Sequence, residues 1–366
     1  MTSHRPGSAL GTAGLQMRTE VPESWDGWIG RAPVTLRRRW ISLAEGRIPG
    51  GARTFGLPGP DGDQVALVGG VMEAPTGHVR FDPQRVLSGG SVADGVVADG
   101  PHPWRGLSAD ELFPSCVLMG PNYESAPAGP GSRDPRVLRA YLEALLDWCR
   151  DQGMRSVSAL FLRPDHPEFL DVLRTAGFAV VPMVDRSDMD VTWSDLDGYI
   201  AGLRRNQRFA VRRELREIAA RGIEISERPI GDEEPELIPL RAQLVTKYGG
   251  VPDAKREADS FRHLRDHFGP ENVWIVEARK QGALLSFTML VRDGDQWTAL
   301  MSGTDYEHPD ASFTYFATMF YRPAELAPGQ GITTIAYGLG TVQAKKLRGC
   351  TVSTLSAAGL LLDRSD

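Results

Sequence analysis

The chain has 366 residues, 41% of them hydrophobic and 24% charged, with a formal net charge of −6. Its length exceeds the usual single-domain size, so two domains are expected, and the ordinary apolar fraction excludes a disordered chain as well as one built on apolar spans of ~20 residues. The acidic balance excludes a generic nucleic-acid coat, although a local basic patch acts within a Debye length whatever the total charge.

The opening residues 1–22 lack the apolar core of a signal peptide and read as a flexible polar lead-in, which leaves a cytoplasmic location as the expectation. A first domain is expected over 23–189. From Arg53 to Val117 the chain is rich in Gly, Pro and Asp, and the β-prone runs QVALVGGVM and SCVLMG predict strands between long loops. After a loop at 126–135, Leu138, Leu142, Leu145 and Cys149 recur at helical spacing and predict a helix over 137–150 that Gly153 closes. A strand in SVSALFLR, a helix over 166–176 and a strand over 178–184 follow, which is α/β grammar. The cysteines Cys116, Cys149 and Cys350 are widely spaced and odd in number, so they read as small core residues rather than a disulfide framework or a metal site.

An acidic connector at 190–198 opens the second domain, expected over 190–366. Its first helix, predicted over 203–221, contains LRRNQRFAVRRELRE with six arginines. Val211, Leu215 and Ile218 would form its buried stripe and Arg205, Arg208, Arg212 and Arg216 a second stripe beside it. Glu214 and Glu217 would lie on the other flank, leaving a one-sided basic surface suited to an anionic ligand. The bland alternative is a solvated helix whose arginine stems cover apolar neighbours. A strand over 223–227 and helices over 236–248 and 260–268 come next. VWIVEAR, LLSFTMLVRDG and QWTALMSGT then make an antiparallel meander whose first turn is Lys280-Gln281-Gly282. A helix over 312–326, a strand over 333–337 and a helix over 341–347 complete the pattern, so the outline of the first half recurs in the second.

The arginine-rich helix, the meander, a Tyr-rich helix and the segment YGLGTVQAKKLRGC together resemble the GNAT-like acyltransferases of the Fem peptidoglycan-ligase and BioF2-like group. The resemblance is clearest over 190–350. It implies two GNAT-like domains, each a mixed, partly antiparallel sheet flanked by helices, in an α/β (mixed α+β) fold. It also implies an acyltransferase that forms an amide-type bond, with aminoacyl-tRNA as donor and a small amine or hydroxylamine as acceptor, in a natural-product or cell-wall pathway. An acyl-CoA donor, or a catalytically silent RNA-binding or scaffold role, are the alternatives. The protein would hold no resident cofactor, since the donor is a co-substrate.

Ordinary GNAT proteins hold the pyrophosphate of CoA on a glycine-rich loop at the start of the helix after the meander, because backbone N–H groups there face the phosphate oxygens. Here that place reads TDYEHPDASFTY, with Asp305, Glu307 and Asp310 and no glycine, which points away from CoA. A tRNA would need arginines and lysines along a surface. Arg204, Arg205, Arg208, Arg212 and Arg213 supply one, and Lys345, Lys346 and Arg348 extend it if the two helix ends meet. Their plain role would be to complement a helix C-terminus.

Aminolysis of an ester needs a free amine, a donor to the developing oxyanion and a proton for the leaving oxygen, but no covalent nucleophile. Tyr337, in the strand-to-helix turn with Gly338 and Gly340, is placed to orient substrate or give a proton. Asp305 and His308 are candidates for base or amine binding, and Tyr315 for substrate binding. No metal site is expected: the only close histidine pair, His263 and His267, reads as a solvated helix face.

Overall fold

The computed structural model describes residues 14–362 apart from 31, 49, 61, 79 and 90–101. The part of the lead-in before residue 14 therefore lies outside the described residues. Two compact units divide the chain: Met1–Val184 with Thr354–Asp366, and Asp185–Ser353. The last stretch thus groups with the first unit, whereas the sequence reading kept it in the second.

The first unit carries strands β1 (Gln16–Arg18), β2 (Arg53–Gly59), β3 (Gly62–Met72), β4 (Ser115–Leu118) and β5 (Ser156–Leu162), with β6 (Ala179–Asp190) leaving it. Short helices α1 (Trp25–Ile29), α2 (Arg38–Leu43), α3 (Pro83–Leu87) and α4 (Ala109–Leu112) precede α5 (Pro135–Asp151) and α6 (Pro167–Thr175). Residues 16–18, within the expected flexible lead-in, pair antiparallel with β2, and Arg18 is ion-paired to the buried Asp63 carboxylate. β2, β3 and β4 run antiparallel, β4 and β5 parallel, and the last strand of the chain pairs antiparallel with β5. Leu138, Leu142, Leu145 and Cys149 of α5 face the sheet, as their spacing predicts, and pack on Val65, Leu67 and Val157.

The second unit has β7 (Glu224–Pro229), β8 (Val273–Lys280), β9 (Ala283–Asp293), β10 (Gln296–Thr304), β11 (Thr334–Leu339) and the start of β12 (Thr351–Leu361). Its helices are α7 (Leu196–Gly202), α8 (Arg205–Ala220), α9 (Leu237–Lys247), α10 (Ala254–Phe268), α11 (Thr314–Phe316), α12 (Arg322–Leu326) and α13 (Val342–Lys346). The order β6-β11-β10-β9-β8-β7 is antiparallel except for β10 and β11, which are parallel. The β8–β9 hairpin turns through Gln281 and Gly282, both at positive φ, the geometry that matches strand twist in a two-residue loop. Between α11 and α12, Ala317–Tyr321 is a π-helical turn, a feature that the periodic pattern did not reveal. It places the Thr318 hydroxyl 3.2 Å from those of Ser286 and Thr288 on β9, so these buried hydroxyls satisfy one another.

Candidate functional site

In the second unit β10 and β11 pair only over Gln296, Trp297 and Thr298, opposite Thr334, Ile335 and Ala336. Beyond Ala299 a bulge shifts β10 against β9, and beyond Ala336 another shifts β11 against β6. Such bulges bend the strand that carries them and end its pairing. The two parallel strands part here, and Ala299, Leu300, Met301, Gly338 and Leu339 are only partly buried. Tyr337, Gly338 and Gly340 lie on one arm of this opening, where ligand sites of α/β sheets gather.

Tyr337 is 5% exposed and its ring stacks 4.8 Å from that of Phe320. Its hydroxyl is buried without a hydrogen-bond partner among the described residues, and burial pushes its pKa well up, which keeps the phenol neutral. Gly338 and Gly340 have φ of +62° and +76°, and a side-chain carbon built on either meets nothing within 4 Å. They are glycines for their backbone conformation, and the face they present is open. Tyr315, from α11, lies near Thr341 just past this turn, and burial raises its pKa to about 12. Tyr248 and Tyr306 are close enough to Tyr315 to raise it further. Sequence reasoning missed Tyr248 and Tyr306, which stand at the end of α9 and in the loop after β10, outside any periodic pattern. Both are exposed, and the Lys247 ammonium sits 3.9 Å from the Tyr306 ring centre.

Two residues expected on a basic surface are inside. Lys345 is 4% exposed, and its ammonium donates to the carbonyls of Tyr337, Gly338 and Leu339 at 2.7, 3.0 and 2.8 Å. It clamps the turn instead of facing solvent. Burial brings its pKa down to about 8, opposed by Cys350 and Asp188. Arg348 is 5% exposed, makes hydrogen bonds of 3.0 and 2.9 Å to both carboxylate oxygens of Glu214, and stacks 3.4 Å from the centre of the Phe316 ring. Glu214 is therefore not on a solvated flank of α8. It shares the buried face with Val211 and Ile218, Leu215 is only partly buried, and Glu214 also accepts a hydrogen bond from the Tyr321 hydroxyl. Removed from water, the pair is held by charge-assisted bonds that bind α8 to the end of α13 and to the π-turn.

The rest of the basic set stays outside. Arg204, Arg205, Arg212, Arg213 and Arg216 are exposed, while Arg208 is half-buried and donates to the Ala201 carbonyl at 3.0 Å. Exposed Lys346 does meet the start of α8, since Gln207 Nε2 donates to its carbonyl at 3.0 Å. Arg213 and Arg221 each approach Phe313, in the loop after β10, at 5.9 Å.

That loop is built on Asp305. Its Oδ1 accepts the N–H groups of Glu307 and His308 at 3.1 and 3.2 Å and the Gln243 side-chain amide at 3.3 Å. The N–H of Tyr306 goes to Gln243, that of Asp310 to His308 Nδ1, and those of Ala311 and Thr314 to main-chain carbonyls. Asp310 is ion-paired with Lys280 at 2.8 Å. Asp305 and His308 thus shape a turn, and the site geometry does not bring them into contact with Tyr337.

No protein-family model matches the chain, and no curated protein matches it in sequence. Solved structures do match in three dimensions. FemX is similar with a TM-score of 0.56 at 11% identity over 88% of this chain and 91% of that one. The C-terminal DUF2156 domain of an Agrobacterium fabrum protein assigned as a lysylphosphatidylglycerol synthetase has a TM-score of 0.52 at 11% identity, covering 88% and 86%. A Bacteroides thetaiotaomicron protein of unknown function has a TM-score of 0.51 at 13% identity, covering 89% and 90%. The fold is that of FemX and of the synthetase domain. At these identities the likeness establishes architecture alone, a mixed sheet flanked by helices as the sequence predicts.

Proposed function

We propose that the protein is an acyltransferase that moves an aminoacyl group from aminoacyl-tRNA onto a small amine or hydroxylamine acceptor. The observation that carries the choice of donor is the loop after β10. The amides of Tyr306, Glu307, His308, Asp310, Ala311 and Thr314 already have partners in Gln243, Asp305, His308 and main-chain carbonyls, and the loop carries Asp305, Glu307 and Asp310, so a pyrophosphate meets few free donors on an acidic loop. The exposed arginines of α8 with Lys346 offer phosphates what the loop does not. FemX and the synthetase domain, whose architecture this chain shares, make a transferase of the same kind a consistent reading.

In this reading the acceptor amine attacks the ester carbonyl directly. The new C–N bond forms as the ester C–O bond breaks, and the amine's proton ends on the ribose oxygen that leaves. The hydroxyl of Tyr337, neutral and without a protein partner, is the donor to the carbonyl oxygen as it becomes negative. Lys345 is a positioning residue, holding the carbonyls of 337–339 so that the turn keeps its geometry. The exposed tyrosines Tyr306 and Tyr248 beside Tyr315 form an aromatic rim for the acceptor. Aminoacyl-tRNA is a cytoplasmic species, which places the reaction there.

The test is transfer of label from a pool of charged tRNA to an acid-stable small product, with and without RNase. Transfer abolished by RNase is expected, and Arg212→Ala with Arg213→Ala should flatten the salt slope of the apparent affinity by roughly one unit per lost phosphate contact. Transfer that ignores RNase and runs on labelled acyl-CoA would overturn the donor assignment.

A further inference from the structure

Phe209 is 62% exposed in the middle of the arginine-rich helix. Isolated surface aromatics are ordinary and need no explanation by themselves. What sets Phe209 apart is its surroundings. With about 100° between successive residues of a helix, it lies opposite the buried stripe of Val211, Glu214 and Ile218 and within about 60° of Arg205, Arg212, Arg213 and Arg216. It is the centre of the basic face. The Arg205 guanidinium lies 5.9 Å from its ring centre, one turn back, and Arg216 stands two turns ahead on the same face. Among the described residues the arginines on this face make no ion pair with a carboxylate, in contrast to Arg228, Arg241, Arg279 and Arg322 elsewhere in the same unit, each of which is paired with glutamate.

We infer that Phe209 is a stacking platform for an unpaired base of the RNA, with the arginines around it taking the flanking phosphates. The inference rests on the tRNA reading above and adds the element of the RNA that this face recognises. Phosphate contacts alone would hold duplex and single strand alike. An exposed ring among cations selects for a segment whose bases are free to stack, as at a single-stranded end, because paired bases already stack on one another. Charge complementarity commits the surface to a polyanion, and the aromatic centre commits it to one with unpaired bases.

The experiment measures binding of a hairpin that mimics the tRNA acceptor stem, with an unpaired 3′ tail carrying a fluorescent adenine analogue, against the same stem with a blunt end. For the full-length protein the tailed hairpin should bind more tightly and its fluorescence should be quenched. Phe209→Ala should weaken the tailed hairpin about tenfold and abolish quenching while leaving the blunt stem unchanged. Phe209→Trp should restore both, and because the position is exposed neither substitution should alter the melting temperature. Tight binding with equal affinity for tailed and blunt stems, unaffected by Phe209→Ala, would overturn the platform and leave the tRNA reading standing. Failure of both RNAs to bind would overturn both readings.

Discussion

The two units answer the same structural problem in opposite ways. In each, an antiparallel meander leads into a parallel pair that parts after a few residues: β4 from β5 beyond Leu118 and Ala159, β10 from β11 beyond Thr298 and Ala336. In the first unit the opening is zipped shut by residues 119–128. Met119 N–H bonds to the Val68 carbonyl, Ser125 bridges Phe161 and Arg163, and Ala128 exchanges both bonds with Ala66. Among the described residues no such insertion pairs with β10 and β11. That opening keeps two glycines with nothing near them and a buried tyrosine hydroxyl without a partner. One unit closes its strand gap with backbone hydrogen bonds, and the other leaves it open. Topology alone does not make a site; what fills the gap decides.

The largest effect that sharpens this contrast should come from Glu214→Ala, which strands Arg348 in the interior of the second unit. A loss of about 3–5 kcal/mol is expected in urea unfolding, and Glu214→Ala combined with Arg348→Met should recover most of it. Next comes Tyr337→Phe. Loss of an unpaired buried hydroxyl should leave stability equal or slightly higher, yet kcat should fall roughly a hundredfold if the open gap is the site. Unchanged kcat would break the comparison.

A smaller effect follows from Lys345. Its folded pKa, about 8, lies below the ordinary lysine value of 10.5, so the folded state holds the charge at a cost below about pH 8. That cost is relieved as pH rises from about 8 to 10.5, where the unfolded chain binds the extra proton. The stability of the wild type relative to Lys345→Met should therefore improve over that window, measured as the difference in melting temperature. The smallest effect is expected in the first unit. Glu124 is buried and bonded to Arg163 at 2.9 Å, so Glu124→Gln should speed amide exchange at Ser125 and Ala128 while leaving transfer untouched. A loss of activity would show that the sealed gap is more than scaffold.

Much of this was legible in the chain. Hydrophobic period placed α5, α8, α9 and the meander near their observed bounds. What stayed hidden were long-range partnerships. Nothing local to Lys345 or Arg348 distinguishes them from exposed Lys346, because their burial is set by the turn at 337–339 and by a glutamate far upstream. One signal was available: Glu214 falls three residues after Val211 and four before Ile218, inside the apolar arc, and a carboxylate there requires a buried cation. Helix α7 and strand β12 were missed because a short helix in an acidic connector and a small-residue strand rich in Ser and Ala carry little periodic signal.

The grouping of Thr354–Asp366 with the first unit sets a rule for anyone who wishes to cut the molecule in two. A gene fragment ending at Val184 would omit the strand that pairs with β5, leaving a row of unsatisfied amides and carbonyls along a strand that is otherwise fully buried, the kind of surface that recruits other copies and precipitates. A fragment beginning at Asp185 and running to Asp366 would carry that same strand without its β5 partner. Dissection calls for a splice that joins 354–362 back to 184 through a short linker, with the excised middle expressed by itself.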